Sequence, residues 1–297
     1  MKKKTVGVIG LGIMGSAISN NLLAAGFNVF GRDVLPEPVE NLTSKGGFGV
    51  SSAREILEKT STVITSLPSV EALQEVVWGK HGLLTATNSS AVIAECSTLP
   101  IESKIRARKA LKEVGMDMLD SPLSGTGAQA IHKDLAVYAS GKRNNIDQCR
   151  EVFDGFSRSV HNVGDFGNGS KMKFVANLLV SIHNASAAEA FVVGMKAGLS
   201  PEDIYEVISS GAGTSRMFEV RGPMMVENNY DDATMKIEVW QKDLSIISDF
   251  IRELDCPVPL FSTSVQLYAA AAAQGRGDQD TGAVCAIFEE LARLKRP

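Results

Sequence analysis

The stretch that decides the fold lies near the N-terminus: Thr5-Val6-Gly7-Val8-Ile9-Gly10-Leu11-Gly12-Ile13-Met14-Gly15, or TVGVIGLGIMG. Its first half is a short, valine- and isoleucine-rich run, the pattern of a buried strand. Its second half spaces Gly10, Gly12 and Gly15 as GxGxxG, and a helical pattern, Met14–Ala25, follows. Strand, glycine turn and helix in that order form a dinucleotide-binding fingerprint. Gly10 permits the tight turn, Gly12 lets a pyrophosphate approach the backbone, and Gly15 lets the helix pack against the strand. The N–H groups and dipole at the helix start suit phosphates. Leu11, Ile13 and Met14 therefore join the three glycines as expected cofactor-binding positions.

Working outward, the next strand candidate, Asn28–Asp33, ends on an acidic residue where one is expected to bind the adenosine ribose hydroxyls. A carboxylate at Asp33 repels a 2′-phosphate, which favours NAD. Arg32 beside it would suit that same phosphate, so NADP stays open. Further strand candidates are Thr62–Leu67, Ala91–Ser97, Met116–Leu123, Asp134–Gly141 and Ser159–Gly164, with helix candidates Val70–Val77, Ile101–Val114 and Ile146–Phe156 between them. Such alternation predicts a sheet that is parallel, at least at its start, with crossover helices. After Gly169 every pattern reads as helical. The first such element, about Ser170–Lys196, lacks proline and would be ~40 Å long. The expected fold is α/β: a Rossmann-type dinucleotide-binding domain over 1–165, then an all-helical domain over 166–297 for substrate and dimerisation, with the active site in the cleft between them.

Bulk properties narrow the function classes. The 297 residues are 44% hydrophobic and 22% charged with net charge −4, an ordinary globular balance without the basic footprint of a nucleic-acid binder. Cys96, Cys149, Cys256 and Cys285 stand far apart, as reduced thiols of a cytoplasmic protein would. The four histidines are scattered, so no metal is assigned. Lys2, Lys3 and Lys4 before an apolar run mimic a signal peptide, but four glycines interrupt that run and no cleavage site follows. No uninterrupted apolar stretch reaches membrane-span length, so no membrane association is expected.

On the long helix, Val175, Leu178, Leu179 and Ile182 form an apolar face, and Lys173, Asn177, Ser181 and Asn184 a polar line. Residues four apart are neighbours, so Lys173 and Asn177 can converge on one ligand. By spacing alone a lysine near a helix start is usually solvated, as Lys171 is expected to be, and that reading outweighs a catalytic one for Lys173. GLGIMG, DSPLSGT (Asp120–Thr126), GNGSKMKFVAN (Gly167–Asn177) and WQKDLSI (Trp240–Ile246) occur in that order. Together they resemble the β-hydroxyacid dehydrogenase family, which includes 3-hydroxyisobutyrate, tartronate semialdehyde and L-threonate enzymes. The likeness runs from about Thr5 to Glu290.

The resemblance implies roles. Lys173 matches the catalytic lysine and Asn177 the substrate-positioning asparagine. Ser124, Gly125 and Thr126 fall on the substrate loop, Leu67 and Pro68 on a cofactor-contacting turn, and Thr98 near the nicotinamide. Lys242 lies in a segment that reaches the active site, facing substrate and cofactor. A homodimer or homotetramer and a small hydroxy-acid substrate are also implied. Two departures stand out: Thr126 replaces the last glycine of the usual Ser-Gly-Gly, which leaves substrate identity open, and Ala176 replaces the first of two asparagines.

Two rival readings use the same scaffold. One is an NAD(P)H-dependent reductase of a small semialdehyde or imine, and Lys173 argues against the imine. The other is a non-catalytic NAD(P)-binding protein, which would not need Lys173, Asn177 and Ser124 together. Ser215, Arg216 and Phe218 are weighed as substrate contacts against helix packing, with Ser215 also a helix cap. Asp120 is weighed between a turn role and a site role. Asp278 and Asp280 are expected to be solvated or capping.

Overall fold

The computed structural model describes residues 4–86 and 90–296, so Lys2 and Lys3 lie outside the described residues. The chain forms two compact units, Met1–Lys173 and Phe174–Pro297. The first runs β1 (Thr5–Ile9), α1 (Ile13–Ala24), β2 (Asn28–Arg32), α2 (Pro36–Ser44), β3 (Phe48–Gly49), α3 (Ala53–Lys59), β4 (Thr62–Thr65), α4 (Val70–Trp78), β5 (Val92–Glu95), α5 (Ile101–Glu113), β6 (Asp117–Asp120), β7 (Leu123–Ser124), α6 (Gly127–Ile131), β8 (Ala136–Ala139), α7 (Arg143–Phe156) and β9 (Ser159–Asn162). The unit boundary falls within the next helix, α8 (Asn168–Lys196). The second unit continues with α9 (Pro201–Ser209), α10 (Arg216–Glu227), α11 (Ile237–Glu253), α12 (Pro259–Ala273) and α13 (Val284–Leu291).

Six parallel strands form one sheet in the order β3-β2-β1-β4-β5-β6. This is the doubly wound dinucleotide-binding order, whose direction reverses between β1 and β4. Both faces of its inner strands are buried, so alternate residues feed two cores. Val8, Ile64, Ala94 and Leu119 pack with Ile18 and Leu22 of α1 and Phe153 of α7. Ile9, Val63, Ile93 and Met118 pack with Ile56 of α3, Leu73 of α4 and Leu111 of α5. A smaller sheet, β7-β8-β9, joins the end of β6 through an antiparallel bridge between Asp120 and Ser140.

The second unit is helical around α8. By length and composition α8 could cross a bilayer. Its buried polar residues nevertheless find protein partners: Asn177 with Asp243, Ser181 with Ser264, and Asn184 with Thr281. This is how a core helix satisfies polar groups. Phe218 stacks between Phe191 and Tyr205. In α10, Pro223 has no N–H to give the Glu219 carbonyl one turn back. The Tyr205 hydroxyl donates to that carbonyl at 3.1 Å instead, so the helix passes through the proline.

Arg221 and Asp280 form a buried ion pair in this unit. Arg221 Nε lies 3.1 Å from Asp280 Oδ1, and Asp280 also accepts from the N–H groups of Thr234, Met235 and Gly282. Of the two expectations for Asp280, solvated or capping, the structure shows the cap: its Oδ1 accepts the Gly282 N–H, and the carboxylate is buried against Arg221. Burial alone would push its carboxyl up; Arg221 and the donated N–H groups outweigh that and hold it below the usual range.

Candidate active site

The glycine turn is built as its spacing demands. Gly10 adopts φ +87°, and a Cβ there would come within 2.1 Å of the Ser66 carbonyl oxygen. A Cβ on Gly15 would meet the Gly10 carbonyl oxygen at 1.8 Å. These two glycines serve the close approach of strand, turn and helix. Gly12 differs: a Cβ on it would meet nothing within 4 Å. Gly12 is also the N-cap of α1, and no side chain caps that helix start. Open space in front of uncapped N–H groups fits a pyrophosphate. Ile13 is 75% exposed beside it, whereas Leu11 is buried and Met14 half-buried.

Asp33 closes this turn. Its Oδ2 accepts the Leu11 N–H at 2.6 Å and its Oδ1 the Leu35 N–H at 2.9 Å. Each carboxylate oxygen has a second acceptor site, so ribose hydroxyls remain compatible. Arg32 Nε is tied to the Ser51 carbonyl at 3.2 Å.

Three more turns leave the strand ends of the first unit. After β4, the Leu67 N–H donates to Ser97 Oγ at 2.7 Å, which holds the Leu67–Pro68 turn against the one after β5 that carries Thr98. After β6, Ser124 ends β7, and Gly125 follows at φ +137°. Thr126 then caps α6 in a reciprocal box: its hydroxyl accepts the Gln129 N–H, and Gln129 Oε1 accepts the Thr126 N–H at 3.0 Å. The residue that departs from the family pattern is therefore engaged in starting a helix.

Beneath these turns is a buried polar network. Lys104, Glu95 and Asp120 are all inaccessible to solvent. Lys104 Nζ donates to the Ser97 carbonyl at 2.7 Å and to Asp120 Oδ1 at 2.8 Å, and lies 3.9 Å from Glu95 Oε1. Glu95 accepts from the Ser97 N–H and the Thr65 hydroxyl. Asp120 accepts the Ser170 N–H and hydroxyl, each at 2.7 Å. Asp120, weighed between a turn role and a site role, thus sits in a buried network with Lys104, Glu95 and Ser170, which the sequence did not single out.

Lys173 follows on α8 and is buried, 9% exposed, while Lys171 is exposed. In the second unit, Asn177 Nδ2 donates to Asp243 Oδ2 at 2.9 Å, and Lys242 Nζ lies 3.4 Å from Asp243 Oδ1. Asp243 was also missed, although it sits inside the quoted WQKDLSI segment. It orients the Asn177 amide and balances the Lys242 charge. Ser215 caps α10, its hydroxyl accepting the Phe218 N–H at 3.1 Å. Arg216 pairs with Glu219 at the surface. The buried, stacked Phe218 takes the packing role.

Known proteins point the same way. Residues 5–164 match the model for the NAD binding domain of 6-phosphogluconate dehydrogenase, and residues 167–288 that for the NAD-binding region of NADP-dependent 3-hydroxyisobutyrate dehydrogenase. The chain is 32% identical to L-threonate dehydrogenase of Cupriavidus necator over 96% of each chain. It is 28% identical to 2-hydroxy-3-oxopropionate reductase of Escherichia coli over 98% of this chain and 99% of that one. Its fold superposes on 3-hydroxyisobutyrate dehydrogenase from Salmonella typhimurium with TM-score 0.87 and 29% identity, covering 96% of this chain and 100% of that one. With its glycine turn, its strand order and both matched regions in agreement, the chain belongs to the β-hydroxyacid dehydrogenase family of NAD(P)-dependent oxidoreductases.

Proposed function

We propose that this enzyme oxidises a small β-hydroxy acid or sugar acid, of the size of 3-hydroxyisobutyrate, glycerate or L-threonate, with Lys173 as general acid and base. The observation that carries the reading is the pair of buried polar residues on successive turns of α8, Lys173 and Asn177, in a chain with a complete dinucleotide turn. The Gly10–Gly15 turn and Asp33 would hold the dinucleotide, and the Leu67–Pro68 turn and Thr98 would contact it as well. Bound NAD(P) supplies the hydride acceptor. Lys173 Nζ takes the proton of the substrate hydroxyl, and returns it to the carbonyl oxygen in the reverse direction. Asn177, oriented by Asp243, positions the substrate. Ser124, the N–H groups around Gly125, and Lys242 bind its carboxylate. Asp33 favours NAD over NADP.

The likeness to a reductase supports a second direction, reduction of a small semialdehyde by the same groups. The division near residue 165 between dinucleotide and helical parts is part of the same proposal, and so is a cytoplasmic location, supported by four free thiols. A homodimer or homotetramer is supported by the apolar stripe of α8. Met172, Val175, Leu179 and Val193 follow helical spacing and are all exposed.

The test is reduced-nicotinamide absorbance with NAD and NADP, in both directions, against a panel of short hydroxy acids and semialdehydes. Turnover of at least one hydroxy acid, faster with NAD, is expected. A protein that binds the dinucleotide and turns over no member of the panel would contradict the reading.

A further inference from the structure

We propose that Lys104, Asp120 and Ser170 are positioning residues that fix the first turn of α8, and with it Lys173, relative to the cofactor turns of the same unit. This rests on the reading of Lys173 as the proton-transferring group.

The first N–H groups of a helix need partners from outside it. The start of α8 takes them from strand ends. The Ser170 N–H goes to Asp120 Oδ2 at 2.7 Å, and the Gly169 N–H to Ser140 Oγ at 3.0 Å. Ser170 Oγ makes a second bond, to Asp120 Oδ1 at 2.7 Å. Two bonds from one residue to one carboxylate fix rotation about the helix axis as well as position along it. The approach is close: a Cβ on Gly169 would meet the Asp120 and Tyr138 carbonyl oxygens at 2.5 Å. Lys173 is less than one turn further on.

Asp120 is in turn held by Lys104, whose ammonium also binds the Ser97 carbonyl. Ser97 Oγ accepts the Leu67 N–H. One chain of short contacts thus runs from the Leu67–Pro68 turn through Ser97, Lys104 and Asp120 to Ser170. Ser97, Lys104, Asp120 and Ser170 are each at least nine-tenths buried. A buried lysine and aspartate contribute little net stability compared with apolar residues of the same volume, but they fix geometry through directed bonds. Displacement of a catalytic group by about 1 Å costs on the order of 100-fold in rate.

The variants are Ser170→Ala, which removes only the hydroxyl bond, Ser170→Thr, which keeps it, and Lys104→Met, which removes the cation. Competitive acetylation of the intact protein across pH, read by peptide mass, gives the reactivity of Lys173 with exposed Lys171 as internal reference. Steady-state kinetics are measured alongside. In Ser170→Ala and Lys104→Met, Lys173 reactivity is expected to change at least about threefold, or its midpoint to move by about 0.5 unit or more, with Lys171 unaltered. A fall in kcat of about 10-fold, with dinucleotide KM within about twofold, should accompany it. Ser170→Thr should behave as the wild type.

A Lys173 profile unchanged in Ser170→Ala overturns the proposal, whatever happens to thermal stability, and this holds if Lys104→Met fails to fold. A shifted Lys173 profile in a protein that turns over no hydroxy acid upholds the positioning and rejects the proposed reaction. Turnover that survives at the wild-type rate in Ser170→Ala, with Lys173 labelling unaltered, does the reverse.

Discussion

An alanine at position 12 and one at position 15 should behave as opposites. Gly12 has φ −63° and open space where a Cβ would stand, so Gly12→Ala should change stability by no more than about 0.5 kcal/mol. That same methyl occupies the space assigned to the pyrophosphate, so dinucleotide Kd should rise by at least about 10-fold. In Gly15→Ala the methyl meets backbone 1.8 Å away, and overpacking of this kind costs about 1–3 kcal/mol. Chemical denaturation and fluorescence titration of both variants check this, and a stable Gly12→Ala with wild-type affinity would remove the cradle. At this scale the sequence was most legible where chemistry is local. The GxGxxG spacing does form a tight turn before α1, and Lys173 and Asn177 do lie buried one turn apart on α8. Lys104 was not legible, because it sits in IESKIRARKALKE among other basic residues and looks as solvated as they are. Only the fold buries it and brings Asp120 and Ser97 to it. Asp243 is hidden for the same reason, 66 residues from Asn177.

At the scale of elements, reading succeeded for runs long and apolar enough to show a period. Each proposed strand contains an observed one, and α8 begins two residues before Ser170. The single strand expected over Met116–Leu123 is two, β6 and β7, because Pro122 has no N–H to continue a ladder. The short β3 was missed because both its residues are exposed, and α2 and α3 because seven to nine residues show too little periodicity. The Arg221–Asp280 pair, which ties α10 to the loop before α13, should be visible in pH dependence. Asp280 titrates below its unfolded value, so the stability it contributes is fully present above about pH 4 and is lost as pH falls through the folded value. Asp280→Asn leaves a buried arginine without its counter-charge and should cost about 3–5 kcal/mol at neutral pH. The stability difference between wild type and variant should stay constant above about pH 5 and shrink below about pH 4. An equal difference at pH 3 and pH 7 would show that the carboxylate charge contributes nothing.

For the whole molecule, the second unit leaves an apolar stripe of its own longest helix exposed. Leu179 is 46% exposed and Val193 is 64% exposed on a helix whose other face is fully packed. If copies of the chain associate through this stripe, Leu179→Glu should shift the sedimentation coefficient toward the monomer, with each unit still folded by circular dichroism. An unchanged coefficient would place any association elsewhere. The central claim is that Lys173 moves the substrate proton, and chemical rescue tests it most directly. Lys173→Ala should lose on the order of 10²–10⁴-fold in kcat while dinucleotide affinity is retained. Added primary amines should restore part of that rate, in proportion to the fraction of amine in the required protonation state. Residual activity near wild type, or a deep loss that no amine restores at any pH, would contradict the assignment of the proton to Lys173.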